Sequence, residues 1–330
     1  MRKLKVALGI VVSLACLGLA VAGIEWSRVG GALRRADWRY LLPAGAALLG
    51  FLLARSARWR VLLGGRVGLG RAFSLTNVGY LISNILPLRL GDPARAVAIG
   101  LDGEVQVSTA LSTVVVERVL DMLTVVALLG VTAPFVAETG WTRQAGAVGA
   151  AVGVAALILL TSLALRPAWG RRILSWLFGR VGWIHAERWS GWYDGLVEGL
   201  TALRSARGVA ALIGWSVAAW AMTVAHYLGI MRAFVPEPSL VEASFLTCAT
   251  ALGVALPSSP GAVGVFHSVA RYALELPFGF TAETAMVIAF AAHTFQYVVM
   301  CGLGAVGLLR ENLSLAQLRS GAAVAAKRSE

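Results

Sequence analysis

Charge is scarce in this chain. Only 14% of its 330 residues are Asp, Glu, Lys or Arg, while 58% are hydrophobic. A soluble domain carries about a quarter charged residues, so a soluble core of this size is excluded. Alternation is missing too: the apolar runs are continuous, which excludes a transmembrane β-barrel. Cysteine is rare, with Cys16, Cys248 and Cys301 far apart and no CxxC spacing, so neither a zinc site nor a disulfide framework is expected. There is no GxSxG elbow, no GxxxxGK[ST] phosphate loop, no HExxH pair and no dinucleotide fingerprint in a strand–turn–helix setting. These absences argue against nucleotide hydrolysis, a catalytic residue, a bound metal or a cofactor. The formal net charge is +12. The arginines gather at the ends of apolar runs without any DNA- or RNA-reading motif, which fits anionic headgroups and orientation signals rather than nucleic acid.

What the chain has instead is a series of apolar runs near 20 residues, the length a helix needs to cross the hydrocarbon. Helices are the remaining way to satisfy every backbone group in lipid. Spans are predicted at residues 4–22, 40–53, 109–133, 145–165, 209–231 and 284–309. The first follows Arg2, Lys3 and Lys5, and its run exceeds the roughly 7–15 residues of a signal-peptide core, so it is read as a retained helix. A basic, aromatic loop follows it, with Trp26, Arg28, Arg34, Arg35, Trp38 and Arg39. The second span ends in Arg55, Arg58, Trp59 and Arg60. Gly146, Gly149 and Gly153 give the fourth a close-packing face. Residues 166–207 mix Trp169, Trp176, Trp183, Trp189 and Trp192 with arginines, the pattern of a segment lying on the membrane surface.

Two pieces, residues 72–100 and 239–274, are apolar but broken. The first reads Leu86-Pro87-Leu88-Arg89-Leu90-Gly91-Asp92-Pro93 and the second Leu256-Pro257-Ser258-Ser259-Pro260-Gly261. Both contain Leu-Pro-x-x-x-Gly between short apolar helices, and each lies between full spans. Proline and charge at that depth do not suit a lipid-facing helix, whereas a re-entrant hairpin covered by protein accommodates them. Three crossings separate the two, so hairpins entering from opposite faces would make the halves inverted repeats, a recurring transporter design with the breaks lining the binding site. The expected fold is therefore an all-α polytopic membrane protein: about six spanning helices plus two re-entrant hairpins in an inverted repeat. One transmembrane domain covers 1–310, with halves at about 1–135 and 207–310, and a tail covers 311–330. Most basic loops share a face with both termini, which places the termini in the cytoplasm of a multi-pass inner-membrane protein. The Arg28–Arg39 loop dissents.

Glu117, Arg118 and Asp121 interrupt the third span. Each central charge costs roughly 2.5–3.5 kcal/mol unless partnered. Glu117 and Asp121 are four apart and share a face, with Arg89 and Arg95 as expected partners. Asn84 and Asp92 flank the first break. An ion-pair cluster that merely pins the hairpin is an equal alternative to a binding role. Around the second break stand Ser258, Ser259, Gly261, His267, Arg271, His293 and Gln296. Arg271 is the expected phosphate partner, because guanidinium forms paired bonds to phosphate oxygens. A lone histidine on an apolar helix is more often a packing residue than a ligand.

Asn84-x-x-Pro87-x-Arg89-x-Gly91-Asp92-x-x-Arg95, Glu117-Arg118-x-x-Asp121 and Ser259-Pro260-Gly261-x-x-Gly264 resemble the flippase-like family of the lysylphosphatidylglycerol synthase transmembrane region. The Arg34 to Tyr40 approach and Arg58-Trp59 are similar as well. The resemblance implies a bacterial or archaeal inner-membrane protein that moves aminoacylated phospholipid or serves a lipid- or polyprenyl-linked glycan pathway. The chain departs from the family at Ala262, where a second glycine is usual, and at Phe266-His267, where an acidic residue is frequent. Family members with a synthase activity carry a further soluble domain, and so little sequence follows Arg310 that no aminoacyl lipid synthesis is expected. The leading expectation is transport of a phospholipid or polyprenyl-phosphate-linked lipid, with no enzymatic activity. A non-catalytic accessory subunit that binds lipid for a partner enzyme comes second, and an intramembrane lipid-modifying enzyme third. A homo-oligomer is left open.

Overall fold

The computed structural model of the chain describes residues 2–86, 90–101, 103–136, 197–255 and 259–314, with scattered positions between 151 and 194. The described residues form ten α-helices and no strand. They are α1 (Arg2–Val21), α2 (Trp26–Arg35), α3 (Leu41–Leu62), α4 (Leu69–Ile85), α5 (Gly91–Gly100) and α6 (Val107–Thr132), then α7 (Ala206–Arg232), α8 (Leu240–Ala255), α9 (Val265–Phe278) and α10 (Ala282–Arg310). The protein is an all-α membrane protein.

Three of these helices are long and apolar enough to cross a bilayer: α3 with its preceding turn, α7 and α10. A fourth candidate is the pair α1 and α2, bent by 79°. α6 has the length, at 26 residues, but three charges in its middle. The expected span at 145–165 and most of the expected surface segment at 166–207 lie outside the described residues. The second expected span, by contrast, ends too early. α3 runs on to Leu62 and carries Arg55, Arg58, Trp59 and Arg60 inside the helix, because buried carboxylates on a neighbour receive its arginines. The loop expected after α1 contains the helix α2.

Local chemistry sets the helix ends. Ser239 and Glu242 form a reciprocal capping box at α8: the Ser239 N–H donates to Glu242 Oε2 at 2.9 Å, and the Glu242 N–H to Ser239 Oγ at 3.1 Å. The side chains of Ser205 and Thr281 accept backbone bonds at the starts of α7 and α10. α4, α5, α8 and α9 are short, at 17, 10, 16 and 14 residues. At 1.5 Å per residue, each falls short of a roughly 30 Å hydrocarbon layer.

Two units with one order emerge: long α3, short α4, break, short α5, long α6; then long α7, short α8, break, short α9, long α10. Packing follows the same correspondence. α3 packs on α7, α4 on α10 and α6 on α8, so exchanging the halves maps the contacts onto one another. Each half has its own apolar core. Trp59, Leu75, Val78, Ile82 and Ile99 pack together in the first, and Tyr227, Ile230, Leu246, Phe266 and Ile288 in the second.

Candidate functional site

Four guanidinium groups and three carboxylates meet where α3, α5 and α6 converge. Arg58 is fully buried and donates to Asp121 at 2.7 Å and to Ser216 of α7 at 3.1 Å. It also stands 3.6 Å from Glu117. Arg55, one turn earlier, pairs with Asp121 at 3.1 Å. From α5, Arg95 donates to Glu117 and pairs with Asp92 at 3.1 Å. Its guanidinium lies 4.5 Å from the centre of the Trp59 ring, whose indole N–H donates to Thr113 at 3.0 Å. Arg118 closes the network at 3.1 Å from Asp92 and 3.4 Å from Asp121.

The network is graded in exposure. The Arg58 and Glu117 side chains are 0% exposed, whereas those of Asp92 and Arg118 are 31% and 45% exposed. Its charge does not balance: four cations against three anions leaves one positive charge among the described residues. Three buried donors, Arg58 Nε, Arg95 Nε and Arg95 Nη1, have no hydrogen-bond partner there. The acceptor Glu117 Oε1 has no hydrogen-bond partner there either, and a buried charge without full pairing is expensive.

α5 reaches this position because two glycines let it close on α4. A Cβ on Gly91 would sit 1.8 Å from the Gly79 carbonyl oxygen, and one on Gly79 would meet the Gly91 carbonyl at 3.1 Å and the Arg95 side chain at 3.3 Å. The contact lays Arg95 over α4 and aims it at α6.

The second break lies against the first. The Tyr297 hydroxyl donates to the Asn84 carbonyl at 3.4 Å, and Asn84 Nδ2 donates to Cys301 Sγ at 3.4 Å. The Pro260–Ala262 turn contacts α4. Gly261 and Ala262 both have positive φ, 66° and 55°, and Gly264 follows at 88°. Ala262 thus occupies a left-handed conformation that glycine adopts freely, which explains why glycine is usual there.

A histidine pair holds this turn, and its geometry defines both tautomers. The Gly264 N–H donates to His267 Nδ1 at 3.3 Å, so the neutral His267 proton sits on Nε2. That nitrogen lies 3.3 Å from His293 Nδ1, and His293 Nε2 lies 2.9 Å from the Gly261 carbonyl. The run of bonds is Gly264 N–H to His267, His267 to His293, and His293 to the Gly261 oxygen. Ser259 N–H donates to Ser13 Oγ of α1 at 2.8 Å.

Arg271, the expected phosphate partner, is used otherwise. It is buried and donates to the Leu19, Ala20 and Ala22 carbonyls at 3.1, 2.8 and 2.8 Å, and to Glu275 at 2.9 Å. It caps the end of α1, where unpaired carbonyls favour a cation. Gln296 hydrogen-bonds Tyr227. Arg89 and Ser258 lie outside the described residues. The structure therefore gathers Asp92, Arg95, Glu117, Arg118 and Asp121 into one network, and Gly261, His267 and His293 into another, with Asn84 between them. Arg55 and Arg58 are the additions that sequence reasoning left at a helix end. The available signal was Arg55 and Arg58, three apart and so on one face of a helix, against Glu117 and Asp121, four apart.

The family described as "Lysylphosphatidylglycerol synthase TM region" matches residues 6–304. Two curated relatives are similar. "Glycosyltransferase AglD" of Haloferax volcanii is 24% identical over 95% of this chain and 55% of its own length. A "UPF0104 membrane protein" of Methanothermobacter thermautotrophicus is 28% identical over 54% of this chain and 56% of its own. The chain spans little more than half the length of either. No solved structure matches. With an aligned region reaching across nearly all of its 330 residues, the chain belongs to the lysylphosphatidylglycerol synthase TM region family.

Proposed function

We propose that this protein moves a lipid with an anionic, phosphate-bearing headgroup across the cytoplasmic membrane, and that it does so without covalent chemistry. The observation that carries this reading is the buried network of Arg55, Arg58, Arg95 and Arg118 against Asp92, Glu117 and Asp121, with one excess positive charge among the described residues, unpartnered buried donors and a half-exposed rim. A purely structural cluster would be expected to neutralise itself. A phosphate diester supplies the missing negative charge and matches guanidinium geometry. In this reading α4–α5 and α8–α9 are re-entrant pairs in inverted repeats. Their meeting at Asn84 and Gly261 forms the point the headgroup passes. The basic ends and both termini face the cytoplasm.

Proteoliposome translocation of labelled phosphatidylglycerol and polyprenyl phosphate tests it. Wild type is compared with Arg118→Gln, at the rim, and Arg95→Gln, inside. Loss in both variants with intact folding is expected. Translocation by neither wild type nor variants, under conditions where wild type binds the lipid, refutes transport.

A second reading is supported by one relative, which is named a glycosyltransferase. There the domain would hold a lipid-linked substrate for an enzyme. It predicts retained lipid binding, no translocation, and a partner enzyme that co-purifies.

A further inference from the structure

The opposite end of α3 carries a second basic feature, separate from the buried network. α2 turns 79° away from α1, so it runs across the bundle instead of along it. Its apolar side is docked: Val29 packs with Ala20, Ile24, Met286 and Val287. Aromatic contacts hold its two ends, Trp26 against Phe290 at 6.5 Å and Trp38 edge-on against Phe234 at 5.8 Å. The Asp37 N–H donates to the Ala233 carbonyl at 2.9 Å and ties the segment to the end of α7. Between α2 and that turn lies a cavity of about 500 Å³, with Arg28 and Arg35 on its wall, Ser27 and Gly31 beside them, and Ala233 and Phe234 lining its apolar part.

The charge of this segment has one sign in excess. Residues 25–40 hold Arg28, Arg34, Arg35 and Arg39 against Glu25 and Asp37, four minus two, or +2. Glu25 pairs with Arg28 at 2.8 Å, and Asp37 with Arg39 at 3.0 Å. Arg34 and Arg35 make no ion pair among the described residues. Glu283 accepts from the Glu25 N–H at 3.5 Å and lies within electrostatic range of Arg28 without an ion pair between them. A helix set across the spanning direction, with arginines on its open side, an apolar docked side and exposed tryptophans at its ends, has the form of an interfacial element. The cavity's apolar part adjoins its cationic wall. That combination accommodates a headgroup phosphate together with the glycerol and first methylenes of a lipid, whereas a free anion would use the wall alone.

We propose that the α2 cavity is a binding site for an anionic glycerophospholipid of the leaflet in which α3 begins, with Arg28 and Arg35 on its phosphate and Phe234 beside its glyceryl part. The site is distinct from the buried network. Arg58 lies 17 residues along α3 from Leu41, roughly 25 Å at 1.5 Å per residue.

The test uses native mass spectrometry of the full chain in detergent, titrated with phosphatidylglycerol or phosphatidylcholine. A phosphatidylglycerol adduct favoured over phosphatidylcholine is expected. The doubly substituted Arg28→Gln, Arg35→Gln protein should bind it about tenfold more weakly. Gly31→Leu is a second probe. A side chain there meets nothing within 4 Å of its Cβ, so the variant keeps every arginine and the fold while filling the cavity, and the adduct should weaken as in the double variant. Undiminished adduct in both α2 variants overturns the proposal. So does equal retention of phosphatidylcholine. Displacement by millimolar inorganic phosphate would identify a simple anion site and overturn the lipid assignment.

Discussion

Glu117→Gln is the most informative single substitution, because it keeps the shape of a side chain that is 0% exposed and removes only its charge. In the native network Glu117 faces two guanidiniums, Arg95 and Arg58. Without its charge the local count moves from four against three to four against two. At the 3.6 Å separation from Arg58, the Coulomb term is roughly 4–5 kcal/mol for an effective dielectric constant near 20. Desolvation of both ions offsets part of it, and measured losses on breaking a buried pair run about 3–5 kcal/mol. Glutamine retains one acceptor oxygen, so the lower end applies: a loss of about 3 kcal/mol. Arg95→Gln should cost a similar amount, since it leaves Glu117 with a single, longer ion pair. The double variant should lose far less than the sum, with a coupling energy of about 2 kcal/mol or more. Reversible unfolding in mixed micelles, followed by tryptophan fluorescence or far-UV circular dichroism, measures all four corners of the cycle. Additivity within about 0.5 kcal/mol would refute the claim that Arg95 and Glu117 form one energetic unit.

Other consequences follow from single positions. Gly91→Ala places a Cβ 1.8 Å from the Gly79 carbonyl oxygen, so α5 must move off α4. A loss of about 2–3 kcal/mol and of translocation should appear together in stability and transport assays, and unchanged stability would contradict the close approach. Ala262→Gly relieves a φ of 55°. The left-handed conformation costs an L-residue roughly 1–2 kcal/mol and glycine adds about 0.4–1 kcal/mol of unfolded-state entropy, so the melting temperature should hold or rise, and a clear fall would refute the strain. His293→Phe preserves the stacking on Phe266 but strands the Gly261 carbonyl and the His267 Nε2–H. Thermal unfolding should show a loss of about 2 kcal/mol; a neutral result would show that the turn does not depend on the relay. Glu198 accepts from Thr109 at 2.7 Å and pairs with Arg66 at 2.6 Å. The Thr109 hydrogen bond first, and Arg66 second, hold its carboxyl below the ordinary glutamate value of 4.5. Its contribution is present above that value and lost as pH falls through the lowered one, so the stability difference between wild type and Glu198→Gln should be full above pH 4.5 and shrink progressively below it in an acid titration.

The sequence made the fold class and the break positions legible, and it did so for physical reasons. Continuous apolar runs report bilayer crossing directly. Pro260 and Gly261 report a place where a helix cannot continue, and Pro93 falls in the first turn of α5, where proline is tolerated. The Glu117–Asp121 spacing reported a shared face in need of cations, and Arg95 was readable as one of them. Arg58 was not, because a run such as Arg55-Ser56-Ala57-Arg58-Trp59-Arg60 after an apolar stretch looks like a basic helix end. Only packing shows that α3 continues and that Arg58 meets Asp121 and Ser216. Arg271 misled for the converse reason: guanidinium suits phosphate and helix-end carbonyls equally, and nothing local reveals that α1 ends beside it. The helical state of 26–35 was hidden by its two adjacent glycines and short length.

The two halves share a scaffold but not a charge, and that asymmetry bears on how a lipid would be handled. Glu117 is the eleventh residue of α6 and His293 the twelfth of α10. Their partners, Arg95 and His267, stand on the equivalent short helices α5 and α9. The contact between the long first helices is reciprocal as well: Arg58 of α3 reaches Ser216 of α7, while His226 of α7 reaches the Ala44 carbonyl of α3 at 2.9 Å. Where the first half places the Arg95–Glu117 ion pair, the second places His267, His293 and the Gly261 carbonyl, and its own ion pair, Arg271–Glu275, stands at the end of α1. Under the proposed function, a headgroup held by the excess cation on the first side would meet the His267–His293 pair and the Gly261 carbonyl on the second. If the halves were interchangeable in function, replacing the ion pair by the second half's histidine pair should be tolerated. Glu117→His with Arg95→His, which removes one charge of each sign and leaves the excess of one cation, would then retain transport, whereas a path that depends on the Arg95–Glu117 pair itself requires that this exchange abolish it while the protein still folds.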